Sequence, residues 1–455
     1  MSLRYPVTTF VQSETTMEFH RSAKHLWPRN RSVGTAWVWT ALIIFGLESQ
    51  LAYAQSFQVL HTFTSVDGAN PVSSLTVDRA GNLYGTTVAG GRFGGICGID
   101  GCGTVFRLVP DGAGWVLMPL HFFRGGADGD YANQGVVLGS DGDLYGTTVG
   151  GGAPPNSGGI GGAGTIYRLT PSATPCTTTS CFWQENILYR FTGGADGRNP
   201  GYGYGGKLTF DQLGNIYGTT PYGGITGPPC NDAFGCGVVY ELTPSGDRWA
   251  ESVVWAFSGS TDGRQPVTGI TVGQQNNLYG MTEYGGLYQT GDAYQIAHAG
   301  SGWAETTIYN FADYPGAGDL LIDRLGDLYS TAGEDSFVFK LSPGNDGWTL
   351  VTLYSFGGGG YLLANGDLTM DEAGNLYGTT YNGGTGGGNV FKLEPAIGGW
   401  IYTDLHDFSG SDGLFPFAGV TLDAQGNIFG TTAYGGKLSE CHESGCGTVW
   451  EITSN

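Results

Sequence analysis

From about residue 55 onward, apolar and polar residues alternate in short runs with a period of two, interrupted by glycine, and no stretch sustains an apolar 3.6-residue period. That pattern predicts many short strands joined by tight turns, with helix nearly absent. The runs are copies of one unit. The hexapeptide Asn82-Leu-Tyr-Gly-Thr-Thr87 returns with small variations at Asp143, Asn215, Asn277, Asp327, Asn375 and Asn427, successive starts lying 61, 72, 62, 50, 48 and 52 residues apart. This spacing is too long for a β-helix rung and suits a four-stranded propeller blade.

Each copy resolves into four strands. The first is of the type Ser74-Leu-Thr-Val-Asp78, followed by the turn Arg79-Ala-Gly81 and the hexapeptide strand. A glycine-rich loop leads to the third, Gly103-Thr-Val-Phe-Arg-Leu108. The fourth begins at a Trp and ends at a Phe eight residues later, as in Trp115/Phe123, Trp183/Phe191, Trp249/Phe257, Trp303/Phe311, Trp348/Phe356 and Trp400/Phe408. With strand periodicity the Trp and Phe share one face and are expected to pack between blades. The seventh copy stops after its third strand, Gly447-Thr-Val-Trp-Glu-Ile452, and the missing fourth strand stands at the other end as Phe57-Gln-Val-Leu-His-Thr-Phe63. The fold class expected is therefore all-β: a seven-bladed β-propeller of four-stranded blades, its last blade closed by the N-terminal strand of the mature chain.

The full unit runs Phe-x-Gly-Gly-x-Asp-Gly…Pro, Gly-x-Leu-Thr-x-Asp, Gly-Asn-Leu-Tyr-Gly-Thr-Thr, a Tyr-Gly-Gly loop and Gly-Thr-Val-Phe-x-Leu-Thr-Pro. It closely resembles the GloVer-type tandem repeat of exported bacterial proteins, over about residues 57–453. The resemblance implies export, often with a C-terminal sorting or anchoring tail, and no defined activity. This chain departs from it by ending at Asn455 without an apolar tail, and by a degenerate fifth copy, Asp327-Leu-Tyr-Ser-Thr-Ala332.

Composition adds a compartment and excludes a partner. Arg29 and Arg31 precede an apolar stretch over 33–46, and Ala52-Tyr53-Ala54 offers a signal-peptidase site. Residues 1–54 are read as a leader with a secretory signal peptide, starting at Met1 or Met17, and 55–455 as the propeller. The mature chain is expected to be secreted, extracellular or periplasmic, and monomeric, with no membrane span. With 40 acidic and 19 basic residues the net charge is −21, which repels phosphate backbones and argues against nucleic acid as a partner. Eight cysteines fall in four local pairs, which read as small-loop disulfides in an exported chain. Cys97/Cys102, Cys230/Cys236 and Cys441/Cys446 fall in equivalent loops of copies one, three and seven, and Cys176/Cys181 in an underside turn of copy two.

Strand order puts the loop between strands two and three, and the connection from strand four to the next blade, on one face, here called the top. The second-to-third loops are long in copies seven, one, two and three, which are consecutive around a closed ring, so they should wall one side of the channel mouth. Tyr222, Tyr284 and Tyr434 begin top loops, and Asp128, Asp196 and Asp262, with Asp67 and Asp412, sit in top Asp-Gly turns. These tyrosines and the first three aspartates are the candidate ligand contacts, suited to ring stacking and hydrogen bonding of sugars. Turn formation is the structural account of the aspartates, and a Ca²⁺ site the other functional one; no other cofactor or metal is expected. Asp78, Asp211, Asp323, Asp371 and Asp423 should cap underside turns. His61, His121 and His406 share a position with Tyr189, Trp255, Tyr309 and Tyr354, which reads as a demand for an aromatic plane rather than for a catalytic or metal-binding group.

No nucleophile elbow, phosphate loop or zinc-protease motif occurs. The function expected is an exported, non-enzymatic propeller that binds a glycan or cell-surface protein at its top face. Two alternatives stay open: a polysaccharide lyase or hydrolase using top-face carboxylates such as Asp196 and Asp262, and a structural envelope component.

Overall fold

The computed structural model describes residues 55–454 apart from 113, 153–161, 173–181, 204–205, 231–233, 247, 313–317, 333–335 and 358–365. The leader lies outside the described residues. Cys181 and its expected partner Cys176 lie outside them too, so the structure shows three of the four expected disulfides and not the one between Cys176 and Cys181. Seven antiparallel sheets form a closed ring. Blade 1 comprises Thr76–Val77, Leu83–Thr87, Thr104–Asp111 and Gly114–Phe122, ordered from the channel outward. Blades 2 to 6 repeat this order, and blade 4 adds a short strand, Arg264–Pro266, beside Leu278–Tyr284. Among the described residues only three 3₁₀ turns occur, at Gly95–Cys97, Gly126–Asp128 and Gln274–Asn276.

The ring closes within blade 7. Ser56–Thr62 runs antiparallel to Thr448–Thr453, with Phe57 opposite Ile452 and His61 opposite Val449. The inner strands are stitched from blade to blade. The Thr76 hydroxyl donates to Val136 O (2.5 Å), Thr369 to Val420 O (2.5 Å) and Thr421 of blade 7 to Leu75 O of blade 1 (2.6 Å). Blades thus follow one another without a break across the junction between the chain's two ends.

The repeated residues are explained by the seams between blades. The Phe that ends each fourth strand meets, edge-on or tilted, an aromatic ring in the third strand of the next blade. The pairs are Phe123–Tyr167, Phe191–Tyr240, Phe257–Tyr294, Phe311–Phe339, Phe356–Phe391, Phe408–Trp450 and Phe63–Phe106, with centroids 5.1–5.6 Å apart. Such pairs contribute about 0.5–1.5 kcal/mol each beyond the area they bury. The third-strand ring lies flat against the glycine of Gly-Thr-Thr: a Cβ on Gly218 would come within 2.3 Å of the Tyr240 hydroxyl, and one on Gly85 within 2.6 Å of the Phe106 ring. The next threonine ties one blade to its neighbour, as Thr219 does to Thr268 O at 2.7 Å and Thr431 to Ser73 O at 3.1 Å.

One expectation is corrected here. The Trp and Phe of a fourth strand do not share a face. A β-bulge falls between them in the fourth strand of each blade, for example at the register shift where Val105 pairs with His121 but Phe106 with Pro119, leaving Leu120 unpaired. The extra residue inverts the alternation. Trp115 therefore packs toward blade 7, against Phe429 at 6.0 Å, while Phe123 packs toward blade 2. Trp183, Trp249, Trp303 and Trp348 likewise lie against Tyr84, Tyr145, Tyr217 and Tyr279 of the preceding blades.

The underside aspartates cap turns as expected. Asp78 Oδ1 accepts from the amides of Ala80 (2.8 Å) and Asn82 (2.9 Å), and Asp211, Asp323, Asp371 and Asp423 repeat the arrangement. These bonds hold Asp78 and Asp371 below the usual carboxylate range although burial opposes it.

Candidate functional site

On the top face, the segment leaving each fourth strand runs inward over the next blade. It bridges that blade's second-to-third loop at Ala69/Ala89, Asp130/Gly150, Arg198/Tyr222 and Leu414/Tyr434. The long loops of blades 1, 3 and 7 are each closed by a disulfide, Cys97–Cys102, Cys230–Cys236 and Cys441–Cys446. The bridge expected between Cys176 and Cys181 is not among these, since neither Cys176 nor Cys181 is a described residue. Two tiers of side chains result from the top-face loops, and five of the six candidate residues divide between them.

Tyr434 and Tyr222 belong to the inner tier. Tyr434 and Phe417 line a depression of about 290 Å³ together with Asn70, Val72, Val88, Asn133 and Gly203, so its wall comes from the segments serving blades 7, 1, 2 and 3. Around it Tyr381 stacks on Phe415 (4.7 Å) and lies 4.6 Å from Phe417, while Phe415 meets Tyr434 edge-on at 6.1 Å. On the blade 3 side Tyr222 lies between Tyr202 (5.8 Å) and Phe234 (5.5 Å), both of which are nearly half exposed. Tyr284 is not part of this group; the Arg264 guanidinium sits 5.6 Å over its ring.

Just inside the mouth are charges that the repeat pattern hides. Lys207, Asp319 and Asp367 take the middle position of the Gly-x-Leu step in blades 3, 5 and 6, where other blades have Ser74 or glycine. Asp319 Oδ1 accepts from the amides of Gly206 (3.0 Å) and Gly269 (2.5 Å). Asp367 accepts from the Asp319 amide (2.8 Å) and from the Ser74 hydroxyl of blade 1 (3.3 Å), a bond that skips blade 7 and therefore crosses the channel. Burial, then Asp367, pushes Asp319 up to about 7; burial also raises Asp367 and lowers Lys207.

The aspartates form the outer tier. Asp128, Asp196 and Asp262 each accept a backbone amide of their own turn, from Arg124 (2.7 Å), Thr192 (2.7 Å) and Ser258 (2.9 Å). Each also faces a glutamate in the fourth strand of the next blade, Glu185, Glu251 or Glu305, two residues after its Trp. The Tyr189 hydroxyl donates to Asp196 Oδ2 (3.0 Å), and His121 Nε2 lies 3.4 Å from Asp128 Oδ2 and 3.7 Å from Glu185 Oε1. Burial pushes Glu185 and Glu251 up, with Asp128 adding to the rise at Glu185, and pushes Glu305 up to about 7. The three glutamates are absent from the sequence reading. The available signal is position: the same site holds Leu117, Leu350, Tyr402 and Phe57 in the other blades, so a carboxylate there stands where a seam is otherwise apolar.

A model of the Gloeobacter/Verrucomicrobia repeat matches residues 43–227 and 98–336. The chain belongs to this repeat family. In this chain the Gly-Thr-Thr strand, the Thr-Val-aromatic strand and the closing Phe of its repeats build each seam. The chain is also similar to a xyloglucanase of Paenibacillus sp, 26% identical over 222 residues, which are 42% of this chain and 20% of that protein's length. Among solved structures it is similar to a fungal alcohol oxidase in complex with copper (13% identity, 88% of this chain, 76% of that one, TM-score 0.49). A gluconolactonase from Xanthomonas campestris is a second (16% identity, 71% of this chain, 85% of that one, TM-score 0.37). These two likenesses are too distant to bear on chemistry.

Proposed function

We propose that this repeat protein is an exported, non-enzymatic propeller that binds a neutral polysaccharide at the top-face mouth. The observation that carries this reading is the depression lined by Tyr434 and Phe417, flanked by further aromatic rings and the carboxamides of Asn70 and Asn133. Aromatic faces suit the apolar faces of sugar rings, and a few convergent polar groups supply orientation. The net charge of −21 disfavours an acidic polymer. The xyloglucanase similarity supports a glycan as ligand, and the three loop disulfides support an oxidising compartment.

A second reading is hydrolysis, favoured by the axial pair Asp319 and Asp367, of which Asp319 is pushed up to about 7 by burial and then by Asp367. One experiment separates the two. Affinity electrophoresis on gels containing xyloglucan, other neutral glucans or mannans should retard the protein without release of reducing ends. Tyr434→Ala with Phe417→Ala should weaken retention about tenfold or more, the loss of two stacking rings. Unretarded migration on every polymer would sink the binding reading, and reducing ends released in proportion to enzyme would replace it with the hydrolytic one.

A further inference from the structure

The seams are seven versions of one geometry, so each serves as a control for the others. At the outer tier three positions meet: the residue six after the fourth-strand Trp, the Asp of the following turn, and the residue two after the Trp of the next blade. Between blades 2 and 3 they hold Tyr189, Asp196 and Glu251; between blades 3 and 4, Trp255, Asp262 and Glu305. Between blades 6 and 7 they hold His406, Asp412 and Phe57, with the imidazole stacked on the Phe57 ring at 3.6 Å. Between blades 7 and 1 they hold His61, Asp67 and Leu117. The combination of imidazole with two carboxylates occurs at the seam of blades 1 and 2 alone, in His121, Asp128 and Glu185.

Among the described residues this is the one place where three metal-ligating side chains converge, with one donor atom of each within 4.8 Å of the others. His121 Nε2 stands 3.4 Å from Asp128 and 3.7 Å from Glu185. Ligands about 2.0–2.2 Å from a tetrahedral Zn²⁺ lie roughly 3.3–3.6 Å from one another, so little movement would be needed. Two further observations point to a ligand. Glu185 Oε1 is sealed from solvent and has no hydrogen-bond partner, and His121 itself is only 9% exposed, so two polar side chains are kept in a seam that is apolar at the equivalent positions of other blades. The three side chains also face a cavity of about 370 Å³ that Arg92, Arg124, Phe122, Phe182 and Trp183 complete.

We propose that the seam between blades 1 and 2 is a binding site for one divalent transition cation of the Zn²⁺ class, held by His121, Asp128 and Glu185. An imidazole donor favours such a cation over Ca²⁺, which takes oxygen ligands in greater number. Three protein ligands leave a fourth position open toward the cavity, where Arg92 and Arg124 favour an anionic or water-derived ligand over a second cation. The site is separate from the aromatic depression at the mouth and does not depend on what binds there.

The test is calorimetric titration of the chelator-treated full chain with ZnCl₂, alongside His121→Tyr and Glu185→Leu. Both substitutions install residues that equivalent seam positions already hold, Tyr189 and Tyr354 in one case and Leu117 and Leu350 in the other, so both variants should fold. The native protein should bind one equivalent, raise its melting temperature with zinc, and lose at least about 100-fold in affinity on either substitution. Calcium should not compete. Absence of saturable binding, binding that His121→Tyr leaves intact (as at the exposed His442 beside Asp100), or equal competition by calcium would overturn the assignment.

Discussion

At the scale of single residues, the same position in different blades shows what each side chain costs. Asp292 begins the third strand of blade 4 and is fully buried. Its Oδ1 accepts from the Thr282 hydroxyl at 2.8 Å, and its Oδ2 has no partner. Blade 6 solves the same contact with a neutral residue, Asn389, bonded to Thr380 at 2.5 Å. Burial pushes Asp292 up to about 7, with Asp262 adding to the rise. A carboxyl whose folded pKa exceeds its unfolded value favours folding while protonated. That contribution is complete below about pH 4, is lost as pH rises toward 7, and stays lost above. Asp292→Asn should therefore stabilise the protein at pH 8, on the order of 2–3 kcal/mol, and be nearly neutral at pH 4. Urea denaturation at both pH values checks this, and an equal effect at the two would refute it.

At the scale of strands, the bulge decides which seam a side chain enters. It was not legible in the sequence, because aromatic residues at the sixth and eighth positions after Trp look like an unbroken continuation of period two. Only the pairing of Val105 with His121 and Phe106 with Pro119 shows the inserted residue. Glu185, Glu251 and Glu305 share the seam-facing side of the Trp two residues before each of them, ahead of the bulge, so the period of two places them in a seam without marking what they meet there. What was legible was the repeated Gly-Thr-Thr, since a glycine forced by a facing ring and a threonine forced by a neighbouring carbonyl leave little freedom of choice. The aspartates' placement in top turns was legible too; their glutamate partners come from a different blade, which no local pattern records. The bulge gives a strand-level prediction. Deleting Val254, the extra residue of blade 3, should exchange the faces of Trp255 and Phe257 and remove the Phe257–Tyr294 pair. The cost should exceed by several kcal/mol that of Val254→Ala, which only trims a side chain. Comparing melting temperatures of the two variants measures it.

At the scale of the whole molecule, closure rests on one strand that is distant in sequence from its partners. Ser56–Thr62 covers the edge of Thr448–Thr453, and its continuation carries Phe63 into the pair with Phe106. Removing residues 55–63 should leave an exposed strand edge and an unfilled aromatic seam on the two sides of blade 7. The truncated protein should melt well below the intact one and self-associate on size-exclusion chromatography; an unchanged melting temperature and a monomeric profile would show that the ring does not need its clasp. The missing fourth strand of the last copy made this closure readable beforehand, because six complete copies define what the seventh lacks.

The clasp also sets an orientation. Ser56 and Thr453 touch through their hydroxyls at 2.7 Å, and Ser454 bonds to Gln425 and Asn427 in an underside turn. Residues 55 and 454 therefore leave the ring side by side, on the face opposite the aromatic mouth. A support coupled at either of them would start from the side of the ring that the loop walls do not occupy.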